Sequence, residues 1–467
     1  MPTIFATITS TQHAGISVIR ISGSSTIECL QKLGFKGVPQ HQKISFQKIR
    51  DPKTGEIIDE TLVSFFKSPQ SFTGEDVAEI SIHASSFITK KVFEILSDVK
   101  NCRLAEAGEF SKRAFLNGKL DLVQAEAIPD LIAAETAAQH KQALGQLEGN
   151  LGKIYEDWRF RLIEISAMLE AAIDFPDEDL PKNICDKVES DVKKLSAEIA
   201  THLDDKKIGQ KIKDGLSLAI IGAPNVGKSS LINFLARSEV AIVSEIAGTT
   251  RDVVETHLSI AGVPVKISDT AGIRETDDAI EKEGIRRALQ KAAAADIKIF
   301  LVDASNPILR EDLIDENTIV VVNKIDLAPT VILGLQGRGP LEFSASEDKL
   351  TRSSALQAKD DELGMKDEGN VHISLTSNTN TSELLKKLEE KILEIIPTQN
   401  SPLITQERYR VALKNSVENL ENFSLHKNIE LAAEDLRMTA REIGKITGKI
   451  DIENILDVIF SRFCIGK

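Results

Sequence analysis

The segment Leu216-Ser-Leu-Ala-Ile-Ile-Gly-Ala-Pro-Asn-Val-Gly-Lys-Ser229 decides the fold of the central part of the chain. Its first six residues form an apolar run typical of a buried strand, and a helical pattern begins at Ser230. The intervening Gly-x-x-x-x-Gly-Lys-Ser loop lets backbone N–H groups converge on nucleotide phosphates at the N-terminus of a helix. In such a loop Lys228 reaches the β- and γ-phosphates, and the Ser229 hydroxyl binds Mg²⁺. A phosphate-binding α/β domain is therefore predicted here.

Two further motifs, each at the end of a short apolar run, identify the nucleotide. In Asp269-Thr-Ala-Gly272 the carboxylate can hold the water shell of the metal, and Gly272 lets the backbone approach a γ-phosphate. In Asn323-Lys-Ile-Asp326 the carboxylate of Asp326 can accept two hydrogen bonds from guanine that adenine cannot offer. The chain is therefore predicted to bind GTP rather than ATP.

The region between and beyond these motifs bears on hydrolysis. A threonine of Gly248-Thr-Thr-Arg-Asp252 can complete Mg²⁺ coordination only when a γ-phosphate is present, and Thr250 is the candidate. Small signalling GTPases place a water-orienting glutamine directly after the Asp-x-x-Gly motif, whereas this chain has isoleucine there. Another group must then position the water. Glu281 is the candidate, with Glu275 and Glu283 as alternatives, and a solvated helix face is the competing interpretation.

The negative charge that develops between the β- and γ-phosphates also needs a cation. The amide oxygen of Asn225, inside the phosphate loop, suggests a monovalent ion such as potassium, because hard cations take oxygen ligands. An arginine finger is the alternative, and Arg251 or Arg274 can supply it.

Composition limits the class of protein. The chain has 467 residues, of which 42% are hydrophobic and 27% charged, as in globular proteins with several domains. A net charge of −14 argues against a general nucleic-acid-coating role. We expect no signal peptide, no membrane span and a cytoplasmic location. The four cysteines are too scattered to predict a disulfide framework or a metal site, and they are Cys29, Cys102, Cys185 and Cys464.

The parts flanking the GTP-binding region differ in pattern. Residues 1–118 alternate β-like runs with turns and predict an α+β domain, with a helix near Phe87–Val99. Four strands are predicted there, starting at Thr3, Ile16, Glu60 and Val77. Helical periodicity follows in 119–210, including a helix over Ile184–Lys207, and returns in 384–467. A discontinuous all-α domain, interrupted by a GTPase domain at 211–383, is therefore predicted.

A long connection lies inside the predicted GTPase domain. Its centre, residues 337–370, is polar and poor in β-branched residues, which favours a disordered or adaptable insertion. A strand is predicted beyond it at Val371–Leu375.

Several motifs outside the GTPase segments resemble a known family. They are Arg20-Ile-Ser-Gly23, Ser71-Phe-Thr-Gly-Glu-Asp76, Ala105-Glu-Ala-Gly-Glu-Phe-Ser-Lys-Arg-Ala-Phe-Leu-Asn117, Lys119-Leu-Asp-Leu-Val-Gln-Ala-Glu-Ala127 and the ending Phe463-Cys-Ile-Gly-Lys467. With them, nearly the whole chain resembles the MnmE (TrmE) family of tRNA-modification GTPases.

The resemblance implies an N-terminal tetrahydrofolate-binding and dimerising domain, a discontinuous helical domain and an inserted P-loop GTPase domain. It implies a homodimer that works with the flavoprotein MnmG (GidA) in a heterotetramer or larger complex. That complex places an aminomethyl or carboxymethylaminomethyl group on C5 of the wobble uridine of certain tRNAs. The carbon comes from a 5-formyl or 5,10-methylene tetrahydrofolate. Potassium-dependent pairing of two GTPase domains then drives hydrolysis.

The resemblance also implies roles for particular residues. Mg²⁺ ligands fall at Ser229 and Thr250, and the general base or water-orienting residue at Glu281. The implied potassium ligands are Asn225, Ser244, Ile246 and Thr249. The implied GTP contacts are Asn225, Val226, Gly227, Lys228, Ser229, Ser230, Ser244, Glu245, Ile246, Ala247, Gly248, Thr249, Thr250, Asp269, Thr270, Ala271, Gly272, Asn323, Lys324 and Asp326. The implied folate contacts are Arg20, Glu79, Lys119 and Lys467.

Two residues and the function itself allow alternative interpretations. Cys464 is either a nucleophile near the folate or a packing residue, and Leu375 stands where such GTPases usually place alanine in the base-contacting loop. The alternative function is a GTPase switch for ribosome assembly or membrane association without modification chemistry. No convincing RNA-binding Gly-x-x-Gly loop in a basic context supports the ribosomal version.

Overall fold

The computed structural model describes most of the chain in two compact units. The described residues are 1–9, 14–174, 184–238, 256–269, 290, 292–308, 310–327, 370–397, 402–426, 429–450, 456, 459–461, 463–464 and 466. One unit comprises Met1–Ala133, Ala143–Asp204 and Gln406–Lys467, and the other comprises Ala134–Gln142 and Asp205–Thr405. The second unit is thus inserted in the sequence of the first, while the finer domain bounds remain a prediction.

A sheet of six described strands lies in the N-terminal part. The strands are β1 (Thr3–Thr7), β2 (Ile16–Ser22), β3 (Ile44–Arg50), β4 (Ile57–Phe66), β5 (Val77–His83) and β6 (Cys102–Leu104). Their spatial order is β3-β4-β5-β2-β1-β6, and the pairs are antiparallel except for β1 with β6. The four strands predicted from sequence are confirmed, whereas β3 and β6 gave too weak a pattern to be predicted.

Helices account for most of the remaining described residues. In chain order they are α1 (Thr26–Lys32), α2 (Ser86–Ser97), α3 (Glu109–Leu116), α4 (Leu122–Ile132), α5 (Ala137–Leu147), α6 (Asn150–Asp174), α7 (Ile184–Leu203), α8 (Ile208–Asp214), α9 (Lys228–Arg237), α10 (Thr381–Ile395), α11 (Glu407–Asn422) and α12 (Ile429–Thr447). The helix predicted near Phe87 is confirmed as α2. The helix predicted to reach Lys207 ends earlier, because Lys206 and Lys207 have left-handed backbones with φ of 49° and 59°.

The two faces of the N-terminal sheet have different surroundings. Ile19, Ile80 and Val63 stand in register on β2, β5 and β4 and are buried beneath α1 and α2. Since side chains alternate along a strand, their neighbours Arg20 and Glu79 lie on the opposite face. The alternation therefore separates an apolar core from a face that carries charged groups.

The helical part is joined across the insertion by a buried polar contact. Glu126 of α4 precedes the inserted unit, and Arg408 and Tyr409 of α11 follow it. Arg408 donates from Nε to Glu126 over 2.9 Å, and the Tyr409 hydroxyl donates to the same carboxylate. Burial, followed by the charge of Glu126, raises the pKa of Tyr409 well above its ordinary value, so this hydroxyl keeps its proton.

The second unit is built on a mostly parallel sheet, which confirms the predicted fold class. The six described strands are β7 (Leu216–Gly222), β8 (Thr256–Ile260), β9 (Val263–Asp269), β10 (Ile297–Asp303), β11 (Thr318–Asn323) and β12 (Val371–His372). Their order is β12-β11-β10-β7-β9-β8, and only β8 with β9 is antiparallel. The last strand is shorter than predicted, since residues 373–375 continue as a loop. The insertion at 337–370 lies outside the described residues except for Asn370.

The strand order places β7 between β9 and β10. The chain therefore crosses to one side of β7 and then to the other, and ligands of open α/β sheets bind at such a switch point beyond the carboxyl ends. Gly222, Asp269 and Asn323 end their strands at that edge. None of the described helices combines the length and apolar character that a membrane crossing requires.

Candidate functional site

The phosphate loop occupies the turn from β7 into α9. Helix α9 begins at Lys228, two residues earlier than the sequence pattern indicates, so Lys228 and Ser229 lie in its first turn. Gly222 and Gly227 have φ of 153° and 106°. A Cβ at Gly222 would lie 2.3 Å from the carbonyl oxygen of Leu301, and one at Gly227 would lie 2.4 Å from the Asn323 amide nitrogen. Both positions therefore require glycine.

The lysine of this loop folds back over the end of β7. Its ammonium donates to the carbonyl oxygens of Gly222 and Ala223 over 3.0 and 2.8 Å. The Ser229 side chain is exposed beside it, and so is Asn225, whose backbone is left-handed with φ of 62°. The N-terminus of α9 and the Lys228 ammonium can therefore donate hydrogen bonds to phosphate oxygens. The Ser229 hydroxyl can bind the metal ion that accompanies the phosphates.

A buried asparagine joins this loop to the loop after β12. Asn323 donates from Nδ2 to the carbonyl oxygen of Val226 over 2.9 Å, and its Oδ1 accepts from the backbone N–H of Leu375 over 3.3 Å. The contact at Leu375 uses the main chain, so leucine serves there as well as the usual alanine. Asn323 therefore holds the phosphate loop and the Ser374–Thr376 loop together.

Lys324 and Asp326, the charged residues of the Asn-Lys-Ile-Asp motif, have different surroundings. Lys324 has a left-handed backbone with φ of 62°, and its ammonium lies 2.6 Å from the Asp303 carboxylate at the end of β10. Burial, the largest effect on Asp303, raises its pKa, but hydrogen bonds from Lys324 and Ser305 outweigh it and hold the pKa below its usual range. Asp326 is exposed at the same edge, as a base-contacting carboxylate must be.

Several predicted site residues lie outside the described residues. They are Ser244, Glu245, Ile246, Ala247, Gly248, Thr249, Thr250, Thr270, Ala271, Gly272, Glu281 and Lys467. Asp269 ends β9 opposite Ile220 of β7. Of the predicted nucleotide contacts, the structure thus brings together the phosphate loop and the Asn-Lys-Ile-Asp motif.

A second group of predicted residues includes Arg20 and Glu79, which lie on the charged face of the N-terminal sheet and are partly buried. Arg20 donates from Nε and Nη2 to Glu79 over 2.9 and 2.8 Å. Its guanidinium lies 5.0 Å from the ring centre of Phe72 and 5.5 Å from that of Phe110. The ammonium of Lys119 donates to the carbonyl oxygen of Pro69 over 3.1 Å. Aromatic rings and charges of both signs therefore meet on this face.

The C-terminal segment packs against the same domain. The carbonyl oxygen of Cys464 accepts from the backbone N–H of Gly108 over 3.4 Å, and the Cys464 side chain is exposed. A Cβ at Gly466 would lie 2.2 Å from the carbonyl oxygen of Thr7, next to the residue paired with Arg20. Main-chain contacts of Cys464 and Gly466 thus hold the C-terminal segment near the sheet face that carries Arg20 and Glu79, which we call the Arg20 face.

The same domain holds a buried charge network that was not predicted from the sequence. Arg113, 2% exposed, donates to Glu75 over 2.9 Å and to Glu109 over 2.8 Å. Glu75 also accepts from the Ser22 hydroxyl over 2.6 Å, and Arg103 pairs with Glu109 over 2.8 Å. The available signal was the presence of acidic residues in the motif 71–76 and of both acidic and basic residues in the motif 105–117.

The network determines where the aromatic residues stand. Phe72 belongs to the loop that carries Glu75, and Phe110 belongs to α3, which carries Glu109 and Arg113.

Burial raises the pKa of Glu109, but hydrogen bonds from Arg103, the Glu106 backbone and Arg113 outweigh it and lower the pKa. The contacts of the ionised Glu109 carboxylate therefore stabilise the folded protein fully above the pKa of a glutamate in the unfolded chain. This stabilisation is lost as pH falls through the lowered pKa of Glu109.

The fold and the nucleotide motifs of the second unit define a P-loop GTPase. Family models match both parts of the chain: "GTP-binding protein TrmE N-terminus" over residues 3–119 and "MnmE helical domain" over residues 122–464. Proteins named "tRNA modification GTPase MnmE" from Rickettsia canadensis and Rickettsia akari are 46% and 45% identical, each with 100% of both chains covered. The chain belongs to the MnmE (TrmE) family of tRNA modification GTPases, and it is a GTP hydrolase.

Solved structures give a weaker likeness. A crystal structure of an Aquifex aeolicus Era variant bound to GDP.AlF4- is 26% identical, covers 44% of this chain and 66% of its own, and has a TM-score of 0.27. The G domain of the Thermotoga maritima FeoB iron transporter is 22% identical over 38% of this chain and 98% of its own, with a TM-score of 0.25. Scores this low carry no argument about function.

Replacing Arg113 by methionine should destabilise the N-terminal domain. Glu75 would lose the cation that it pairs with, and the buried Glu109 would keep Arg103 alone of its two cations, so we expect a loss of about 3–5 kcal/mol in the free energy of unfolding. The matched control is Arg161→Met, because Arg161 pairs with Glu198 at the surface and its loss should cost at most about 1 kcal/mol. Denaturant unfolding measures both variants, and equal effects would contradict a structural role for the buried network.

Proposed function

We propose that this GTPase, with a flavoprotein of the MnmG (GidA) type, modifies C5 of the wobble uridine of certain tRNAs. The product carries an aminomethyl or carboxymethylaminomethyl group. The observation that supports this best is the match to tRNA modification GTPases along the whole chain, including the N-terminal charged motifs that a GTPase switch does not require. tRNA and the flavoprotein are the proposed partners, in a heterotetramer or larger assembly, and the location is the cytoplasm.

The nucleotide site supports a GTP·Mg²⁺ complex. Backbone N–H groups at the start of α9 and the Lys228 ammonium provide positive charge, and the exposed Ser229 hydroxyl is placed for a metal ligand. Thr250 is the second proposed Mg²⁺ ligand, and Glu281 is proposed to orient the attacking water. When bound, Mg²⁺ neutralises negative charge on the phosphates. The Asn323 side chain holds the phosphate loop and the Ser374–Thr376 loop together.

A potassium ion is proposed to take the place of an arginine finger. Asn225 is exposed in the phosphate loop, and its amide oxygen is a suitable ligand for a hard cation. Ser244, Ile246 and Thr249 complete the proposed ligand set. Asn225 has a left-handed backbone, and its side chain is exposed to solvent.

The Arg20 face supports binding of a tetrahydrofolate derivative, in the 5-formyl or 5,10-methylene form. The flat pterin ring has donors and acceptors on one edge and two apolar faces. Arg20 and Glu79 offer a donor and an acceptor, and the exposed ring of Phe72 offers aromatic surface, while the buried ring of Phe110 packs beside the Arg20 guanidinium. Lys119 and Lys467 are the other proposed contacts, and Cys464 is proposed only as a neighbour that packs or acts as nucleophile.

The same face supports a homodimer. Phe46 of β3 stands opposite Leu62 of β4, and both side chains are about half exposed or more, at 59% and 48%. Ser64, two residues from Leu62 and hence on its face, stands opposite Glu79. An exposed apolar patch on an edge strand beside the proposed folate site is a surface that a second copy can cover.

The deciding experiment is wobble-uridine analysis of tRNA from a strain that lacks this gene. We expect the C5 aminomethyl and carboxymethylaminomethyl groups to disappear, and to return when the intact gene is supplied but not with a Lys228→Ala variant. If the groups persist in the deletion strain, the modification function is wrong. The alternative, a switch in ribosome assembly or membrane association, would then be favoured.

Replacing Glu281 by alanine should lower the turnover of GTP by about 10²–10⁴-fold, because a positioned carboxylate contributes this much to activation of water. GTP affinity, measured by titration with a fluorescent analogue, should stay nearly unchanged. Glu275→Ala and Glu283→Ala are the matched controls. Unchanged turnover in Glu281→Ala would transfer the role to one of these rivals.

Potassium should stimulate hydrolysis and sodium should not. Asn225→Gly removes the amide oxygen but keeps the left-handed backbone accessible, so this variant should bind GTP yet lose most of the stimulation. The measurement is initial hydrolysis rate at equal ionic strength in the two salts. Equal rates of the wild-type protein in potassium and sodium would favour Arg251 or Arg274 as an arginine finger.

A further inference from the structure

Two thiols that lie far apart in the sequence meet in the N-terminal domain. The Sγ atoms of Cys29 and Cys102 are 3.6 Å apart, although 73 positions separate the two residues. Cys29 lies on α1 and is fully buried, while Cys102 opens β6 and is partly exposed. Cys29 belongs to the apolar cluster that holds α1 and α2 on the sheet, and Cys102 packs against this cluster. The packing of the domain core therefore maintains the contact between the sulfur atoms.

The distance is that of a thiol–thiol hydrogen bond and not of a covalent bond. A disulfide has its sulfur atoms about 2.05 Å apart, so closure requires an approach of roughly 1.5 Å. One partner is a short helix, and the other is a three-residue strand that pairs with β1 at the edge of the described sheet. These two elements are easier to shift than strands in the middle of the sheet.

We propose that Cys29 and Cys102 form a redox modification site, at which hydrogen peroxide closes a reversible disulfide within the N-terminal domain. The site is independent of the proposed function in tRNA modification. The spacing of the four cysteines in the sequence gives no sign of this pair. The alternative is that both thiols act only as small apolar core groups.

The accessible thiol reacts first. The Cys102 thiolate attacks one peroxide oxygen, so an S–O bond forms, the O–O bond breaks and hydroxide leaves to become water. The Cys29 sulfur then attacks the Cys102 sulfur, forming the S–S bond and expelling the oxygen as water with the Cys29 proton. The two sulfur atoms lose two electrons in total, and the peroxide gains them.

The electrostatics of the pair agree with these roles. The hydrogen bond from Cys29 lowers the pKa of the Cys102 thiol, which favours the nucleophilic thiolate there. The same hydrogen bond, together with burial, raises the pKa of Cys29, which keeps this thiol protonated until the second step.

Closure would tie the edge strand to α1. Arg103 follows Cys102 directly and pairs with Glu109 of the buried charge network. The disulfide would therefore reinforce the part of the domain that holds the network in place, by restricting a loop of more than seventy residues in the unfolded chain. In the full-length protein, the temperature at which this unit unfolds should accordingly be higher after oxidation and return to its original value after reduction.

Mass spectrometry of the full-length protein tests the proposal. The reduced protein is treated with hydrogen peroxide, denatured, alkylated and digested without reductant. We expect a peptide pair joined through Cys29 and Cys102, lighter than its two parts by the thiol hydrogens and absent after treatment with dithiothreitol. Alkylation of both residues after peroxide treatment would overturn the proposal, and so would linkage of Cys102 to Cys185, to Cys464 or to a second chain.

Variants separate the two steps. Cys29→Ala removes the second thiol, so Cys102 should accumulate as sulfenic acid that dimedone traps. Cys102→Ser should leave Cys29 unoxidised, because its burial protects it. Cys185→Ser is the matched control, since Cys185 is exposed on α7, and it should leave the yield of the disulfide unchanged. A fall in yield in the control, or no trapping in Cys29→Ala, would contradict the assigned chemistry.

Discussion

The contact between Glu126 and the Arg408–Tyr409 pair is the constraint on which the organisation of the chain depends. The partners are 282 and 283 positions apart, and the whole GTPase unit lies between them in sequence. A host domain tolerates an inserted domain where its own packing brings the two residues that flank the insertion close together. Here a buried carboxylate needs both partners, because a buried charge without partners is costly. The helical part therefore closes on itself around this group.

A similar logic operates inside the GTPase unit. Asn323 uses its amide group in both directions, as donor to the phosphate loop and acceptor from the Leu375 N–H. Gly227 lies so close to this amide that any Cβ would collide with it. The requirement for glycine in the phosphate loop thus comes partly from the base-recognition motif, and the two motifs constrain each other.

In the N-terminal domain the charges form one connected structure. Arg113 lies between Glu75 and Glu109, and the elements that carry them also carry Phe72 and Phe110 beside Arg20. The sheet face that is proposed to bind folate is therefore supported by a largely buried ionic layer. Such a layer fixes the positions of its parts more strictly than apolar packing does, because each carboxylate needs a donor in a particular direction.

The local features of the protein follow from residue types and their spacing along the chain. The phosphate loop, the end of β9 and the Asn-Lys-Ile-Asp motif are short segments whose residue types follow from the bonds that a nucleotide requires, and the long strands follow from alternation. The edge strands β3 and β6 did not emerge, because β3 is largely solvent-exposed and β6 is too short to carry a period. Only the tertiary structure decided which distant side chains meet: Arg113 with Glu75, Glu126 with Arg408, and Cys29 with Cys102. Each of these contacts depends on how whole elements pack, and no local pattern encodes a partner that lies from 38 to 282 positions away.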